Sequence, residues 1–222
     1  MTRPATGPGA APPASSTPVA ELACLVRGRA VSTGRAVEVR SPYDDGVVAV
    51  VQRAGPPEIE AAIAGAVEAF RETRRLPSWK RSEILERISQ AIASRRDELA
   101  ATIALEAGKP MKAARAEVAR AVFTFKVAAE EARRVYGEIV PLDWLPGTEG
   151  REGLVRRVPL GPVAGITPFN FPLNLVAHKV APAIAAGNPI VLRPASQTPV
   201  SSLRLGSLVL EAGWPEAALS VV

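Results

Sequence analysis

Two short stretches of this 222-residue sequence concentrate side chains that could hold or transform a ligand. The first is Thr167-Pro168-Phe169-Asn170-Phe171-Pro172-Leu173-Asn174 and the second is Arg193-Pro194-Ala195-Ser196-Gln197-Thr198-Pro199. Prolines restrict the backbone of both, and between them stand an amide, a guanidinium and hydroxyls, a set suited to a polar ligand. On spacing alone, Asn170 reads as a residue satisfying backbone groups in a Pro-braced turn, and Arg193 as either a surface cation after a strand or an anion ligand. Other chemistry is scarce. One cysteine, Cys24, and one histidine, His178, exclude an intrachain disulfide, a Cys-rich zinc or iron–sulfur site and a multi-histidine metal site, so no metal is expected. His178 has no neighbouring nucleophile and acid to complete a triad and reads as a packed helical histidine. Cys24 reads as a strand thiol, and Lys109, just after a helix stop, as structural.

Both loops must be held by flanking elements, and the pattern around them supplies these. Residues 161–167 and 188–192 read as short buried strands, 173–186 and 200–212 as helices, the latter closed by Gly213, and 219–222 as the start of a third strand. Two successive βα units indicate a parallel, doubly wound sheet, in which ligands sit at the carboxyl ends of strands, where both loops lie. Pro182 conflicts with its helix and predicts a kink or a shifted start. Upstream, residues 23–53 alternate apolar and polar positions around turn signals and suggest short antiparallel strands. From Pro56-Pro57 a helix presents Ile59, Ile63, Val67 and Phe70 to a core. Ser78 can cap a second helix carrying Trp79, Ile84, Leu85, Ile88, Ile92, Leu99 and Ile103, kinked near 95–97 and ended at Gly108. Residues 111–136 form a third helix with Val118, Val122, Phe125, Ala129, Ala132 and Tyr136 on one face. Residues 138–143 and 154–158 read as strands about a Pro/Gly loop. The expected fold class is α/β, a partial doubly wound parallel sheet preceded by short strands and a helical segment. Residues 1–20 form a leader, and 21–222 one domain divided at about 137 and 160.

Composition narrows the function classes. With 47% apolar and 22% charged residues the chain carries core enough for one large domain or two small ones. The net charge of +5 is spread almost evenly: residues 151–222 hold six basic and three acidic side chains. The densest basic cluster, Arg71, Arg74, Arg75, Lys80 and Arg81, is interrupted by Glu72 and Glu83 at helical spacings, a solvated face rather than a nucleic-acid surface. Trp79, Trp144 and Trp214 stand too far apart to form a base-stacking platform. The first twenty residues hold five prolines, no acid and no continuous apolar run, which predicts a disordered leader and no secretory signal. No window approaches the roughly 18–20 apolar residues of a membrane span, so the cytoplasm is the expected location.

The segment PLGPVAGITPFNFPLNLVAHKVAPAIAAGNPIVLRPASQTP at 159–199 closely resembles the NAD(P)-dependent aldehyde dehydrogenase superfamily. LEAGWPEAALSVV at 210–222, and LEAGKP at 105–110 with the following helix ending AAEEARRVYGE, are similar to the same family, so the resemblance covers about residues 25–222. The PFNFPLN form is most similar to members handling small hydroxy-, phospho- or acid-bearing aldehydes. The resemblance implies that Asn170 is the side-chain donor of an oxyanion hole. It implies that Ile166, Thr167, Pro168 and Phe169 line the nicotinamide–ribose side of the cofactor, and that Arg193 and Ser196 contact the adenosine ribose. The commonest family pattern has lysine at the first of those two positions and, in NAD-selective members, an acid at the second. Ser196 removes repulsion of a 2′-phosphate and Arg193 can bind it bidentately, which favours NADP or dual use and leaves NAD open.

The family's reaction uses a cysteine thiolate to attack the aldehyde, hydride transfer to NAD(P)+, and glutamate-activated water to release the acid. Both catalytic positions lie downstream of residue 222 in the family pattern. The expectation is therefore the N-terminal part of an aldehyde dehydrogenase, inactive alone, whose incomplete cofactor sheet leaves an exposed, aggregation-prone edge and whose homo-oligomer needs the full-length chain. The alternative is a non-catalytic nucleotide-binding pseudoenzyme or split subunit. A basic nucleic-acid binder is poorly supported by the flat charge distribution.

Overall fold

The hinge of the first hairpin is set by two residues with positive φ. Arg27 (φ 54°) and Gly28 (φ 74°) form the two-residue loop between β2 (Cys24–Val26) and β3 (Arg29–Val31), the backbone a tight antiparallel turn demands. Gly28 has a second constraint, since a Cβ there would lie 2.5 Å from the Glu216 carbonyl oxygen. The structure, a computed structural model, describes residues 20–222. The expected leader lies outside them except for Ala20, which opens β1 (Ala20–Leu22). After β3 come β4 (Ala36–Arg40) and β5 (Val47–Gln52), paired antiparallel as expected. β1 departs from that expectation by pairing parallel with β5, giving a small sheet of order β1-β5-β4.

Two further pairs of elements carry the loops of interest. β8 (Val163–Ile166) leads into α5 (Asn174–Ala186), and β9 (Ile190–Arg193) into α6 (Val200–Glu211) and, through the 3-10 turn Glu216–Ala218, β10 (Leu219–Val221). β8, β9 and β10 are parallel, and β2 adds antiparallel to β10, so the main sheet runs β3-β2-β10-β9-β8. β10, read from the sequence as the start of a third strand, is interior, and the free edges of the sheet are β3 and β8. Its partner could not be inferred from local pattern because β2 lies nearly two hundred residues away. Strand alternation sends Leu25, Ile190, Leu192, Leu219 and Val221 into the main core with α5 and α6, while Cys24, Val26 and Val191 join Ala62 of the first helix in a second cluster on the other face.

That helix, α1 (Pro56–Thr73), corrects the expected face. Ile59, Ile63 and Val67 are 38%, 45% and 58% exposed, while Ala62, Gly65, Ala66, Ala69 and Thr73 are buried. Small side chains let α1 lie close on β2, β9 and β10, an approach the branched stripe would prevent. α2 (Ser78–Ser94) and α3 (Arg96–Ala107) are separated at Arg95, the predicted kink, and α3 stops at Gly108 with φ 62°. Ser78 is the first helical residue rather than the cap, which is Pro77, and Trp79 is exposed. α4 (Met111–Glu131) buries Val118, Phe125 and Ala129 against α2 and α5, and ends before the exposed Tyr136.

β6 (Glu138–Pro141) and β7 (Glu152–Val155) form a separate antiparallel ribbon. β8, expected to be buried, is buried on one face only: Gly165 is covered, while Ala164 and Ile166, which alternate onto the other face, are exposed, Ile166 by 72%. α5 runs through Pro182 without a break. Pro182 and His178 are both exposed, so the carbonyl that Pro182 leaves without an N–H lies on the wet side of the helix. His178 is therefore a solvent-facing residue rather than the packed histidine expected. Among the described residues no helix is long and apolar enough to cross a membrane.

Candidate functional site

The carboxyl ends of β8 and β9 lie side by side, so the two loops leave the sheet together. Ile166 stands opposite Arg193 in the ladder, and the Thr167 N–H donates to the Arg193 carbonyl at 3.2 Å. Thr167 is buried, whereas Pro168, Phe169 and Asn170 are exposed. The Asn170 side chain makes no hydrogen bond among the described residues, so the turn-satisfying reading of its amide finds no partner. Its N–H donors are free for an external acceptor.

Arg193 and Ser196 line a cleft of about 470 Å³ beside the ends of β9 and β10. Arg35 and Arg53 reach the same cleft from the β4–β5 side, Val37, Val51 and Val221 give it apolar walls, and its lining contains no Asp or Glu side chain. Arg35 is paired with Glu58 at 3.1 Å. The structure thus gathers Arg193 and Ser196 in the cleft and sets Ile166, Thr167, Pro168, Phe169 and Asn170 along the neighbouring strand end. Cys24 also borders the cleft but is 2% exposed, its thiol donating to the Val31 carbonyl at 3.4 Å. Burial pushes that thiol up from its ordinary pKa, and the charge of Glu58 adds to the effect, so it is a poor nucleophile. Among the described residues no cluster of His, Cys, Asp and Glu could hold a metal.

Sequence reasoning missed the two groups that fix these loops. Glu117 of α4 is 1% exposed; its Oε1 accepts the backbone N–H groups of Leu173 (2.9 Å) and Asn174 (3.1 Å), and its Oε2 pairs with Lys109 Nζ at 2.6 Å. Glu106 of α3 does the same for α6. It is 2% exposed, accepting Val200 N–H at 2.8 Å, Ser201 N–H at 3.0 Å and the Ser201 hydroxyl. The first N–H groups of a helix lack intrahelical partners and carry its positive dipole end, so a buried carboxylate there is compensated on both counts. Burial pushes the Glu106 carboxyl up to about 7, opposed by the Ser201 and Val200 donors and reinforced by the charge of Glu117. A sequence signal for both existed: Glu106 follows Leu99 and Ile103 on the inner stripe of α3, and Glu117 stands between Ala114 and Ala121 on that of α4. Carboxylates on an apolar stripe ask for partners.

The profile of the aldehyde dehydrogenase family matches residues 30–222. The 3-sulfolactaldehyde dehydrogenase of Priestia aryabhattai is 40% identical over 208 residues, covering 94% of this chain and 43% of that protein. Among solved structures, aldehyde dehydrogenase 21 of Physcomitrella patens, in complex with the reaction product succinate, superimposes with a TM-score of 0.88 at 40% identity, over 93% of this chain and 43% of that one. The NADP-dependent glyceraldehyde-3-phosphate dehydrogenase of Bacillus halodurans C-125, complexed with NADP, gives 0.87 at 32% identity, over 91% and 43%. The chain spans about two fifths of the length of the relatives it matches.

Proposed function

The chain belongs to the aldehyde dehydrogenase family, and from that premise we propose that residues 21–222 form the cofactor-side part of an NAD(P)-dependent dehydrogenase oxidising a small aldehyde to its carboxylic acid. The observation that carries this reading is the juxtaposition, at the ends of two adjacent parallel strands, of a free Asn170 amide and a cleft containing Arg193 and Ser196 with no Asp or Glu side chain in its lining. That donor set fits a dinucleotide: the guanidinium meets a phosphate or ribose, and the hydroxyl, where an acidic side chain would repel, tolerates a 2′-phosphate. NADP is the preferred form and NAD the second. When bound, the nicotinamide supplies the hydride acceptor.

The chain's own residues supply orientation and charge stabilisation. The exposed edge residues Ile166, Pro168 and Phe169, with the Thr167 backbone, would pack the nicotinamide–ribose side. Asn170 would donate from its side-chain amide to the oxygen that gains charge as the aldehyde carbon becomes tetrahedral, a bond stronger in that state than to the starting carbonyl. The similarity to a 3-sulfolactaldehyde dehydrogenase, and to an enzyme holding succinate, supports a short substrate bearing an acidic group. The 222 residues alone lack a competent nucleophile, since their one cysteine is the buried Cys24. The β6–β7 ribbon, with Leu154 and Ile139 71% and 66% exposed, supports an assembled form in which another copy covers it.

Calorimetric titration of the 222-residue chain with NADP and NAD, with NAD(P)H absorbance followed on adding succinate semialdehyde, tests the proposal. The expected result is tighter binding of NADP with no reduced cofactor formed. Absence of binding of either nucleotide, or turnover by the pure chain, would contradict it.

A further inference from the structure

We propose that Glu117, tied to Lys109, is a positioning residue for the Asn170 loop and determines where that amide points. The loop spans residues 167–173, between the end of β8 and the start of α5. Its first residue is pinned by the bond from the Thr167 N–H to Arg193. Its last is pinned by Glu117, whose Oε1 takes the N–H of Leu173 and that of Asn174 just beyond. Between these anchors the ring of Phe171, next to Asn170, lies 3.9 Å from Lys109 Nζ and 5.2 Å from the Arg120 guanidinium carbon, both within cation–π range.

Lys109 is the joint of the arrangement. Its ammonium group touches the Glu117 carboxylate and the Phe171 face at once, so the carboxylate that fixes the helix start also fixes, through Lys109, the ring beside Asn170. The Asn170 side chain has no hydrogen bond of its own among the described residues, so its placement depends on these neighbours. The base that holds them is stiff: α4 buries Ala114, Val118, Ala121 and Phe125 on either side of Glu117. The catalytic meaning of this positioning rests on the oxyanion reading of Asn170, but the positioning itself does not.

The test uses the 15N-labelled 222-residue chain and the variants Glu117→Gln, Lys109→Met and Lys109→Arg. A further variant, Ile92→Val, loses packing in the core of α2 at a 0% exposed site and serves as a control matched for destabilisation. Amide hydrogen exchange of residues 168–174 and the Asn170 side-chain NH2 resonance are read at equal distance from each variant's unfolding midpoint. Positioning predicts exchange in this segment about tenfold faster in Glu117→Gln and in Lys109→Met, a shifted Asn170 resonance in both, near wild-type values in Lys109→Arg, and no segment-specific change in the control. Exchange rising no more than in Ile92→Val, or an unmoved Asn170 resonance, overturns the proposal. If Glu117→Gln does not fold, Lys109→Met, which keeps the carboxylate, carries the same test. NADP titration is separate and is read on the wild-type chain: if the variants lose loop order as predicted while the ordered wild-type chain binds no cofactor, the functional reading is refuted and the positioning stands.

Discussion

Glu106 makes the stability of this fold depend on pH in a direction opposite to that of most carboxylates. In the unfolded chain its carboxyl titrates near the ordinary 4.5, whereas in the folded protein burial pushes it up to about 7. Below pH 4.5 both states are protonated and the contribution is fully present. As the pH rises from 4.5 toward 7 the unfolded chain releases its proton first, so the folded state binds more protons and stability falls. Above about 7 both are ionised and the effect levels off. The gap corresponds to about 3 kcal/mol, taking about 1.4 kcal/mol per pKa unit. The perturbation is Glu106→Gln, which keeps the size and removes the titration. Urea unfolding of wild type and variant at half-unit steps from pH 4.5 to 8 gives the two stability curves. Their difference, wild type minus variant, should decline by about 3 kcal/mol across the window and stay level above it. A difference that is flat or rises with pH would refute the argument, because it would mean that the Val200 and Ser201 donors outweigh burial.

Other outcomes follow from the same geometry. Ser196→Glu should weaken NADP binding about tenfold relative to NAD in paired titrations, by placing a carboxylate against the 2′-phosphate; an unchanged ratio would remove Ser196 from the site. Gly28→Ala should cost about 2–3 kcal/mol in chemical unfolding, since it combines a φ of 74° with a Cβ placed 2.5 Å from a backbone oxygen. Ala62→Ile should destabilise by about 1–3 kcal/mol, while Ile63→Ser changes stability by no more than about 0.5 kcal/mol. The reverse order would restore the apolar stripe of α1 to the core. Thiol labelling with a disulfide reagent should modify Cys24 only as fast as the chain opens, and so accelerate in parallel with the denatured fraction in rising urea.

The assignments made from sequence succeeded where the information is local. The Gly108 stop and the break at Arg95 end helices through backbone preferences legible within a turn, and the strand–loop–helix order around Asn170 and Arg193 follows from short apolar runs bounded by Pro and Gly. The motif of residues 159–199 located both loops and pointed to the family. Periodicity established that residues 56–73 form a helix, yet it chose Ile59, Ile63 and Val67 as the inner face, because hydrophobicity measures what a residue gains by burial and not whether a neighbouring sheet leaves room for it.

Tertiary structure decided what depends on partners distant in the chain. It closed the sheet at β10 with β2, left His178 in water, and put Glu106 and Glu117 under two helix starts 94 and 56 residues away. No window of sequence contains both members of such a pair. A buried carboxylate is costly until the fold brings it N–H donors, so the sequence shows a polar residue on an apolar stripe and only the packed structure supplies the reason.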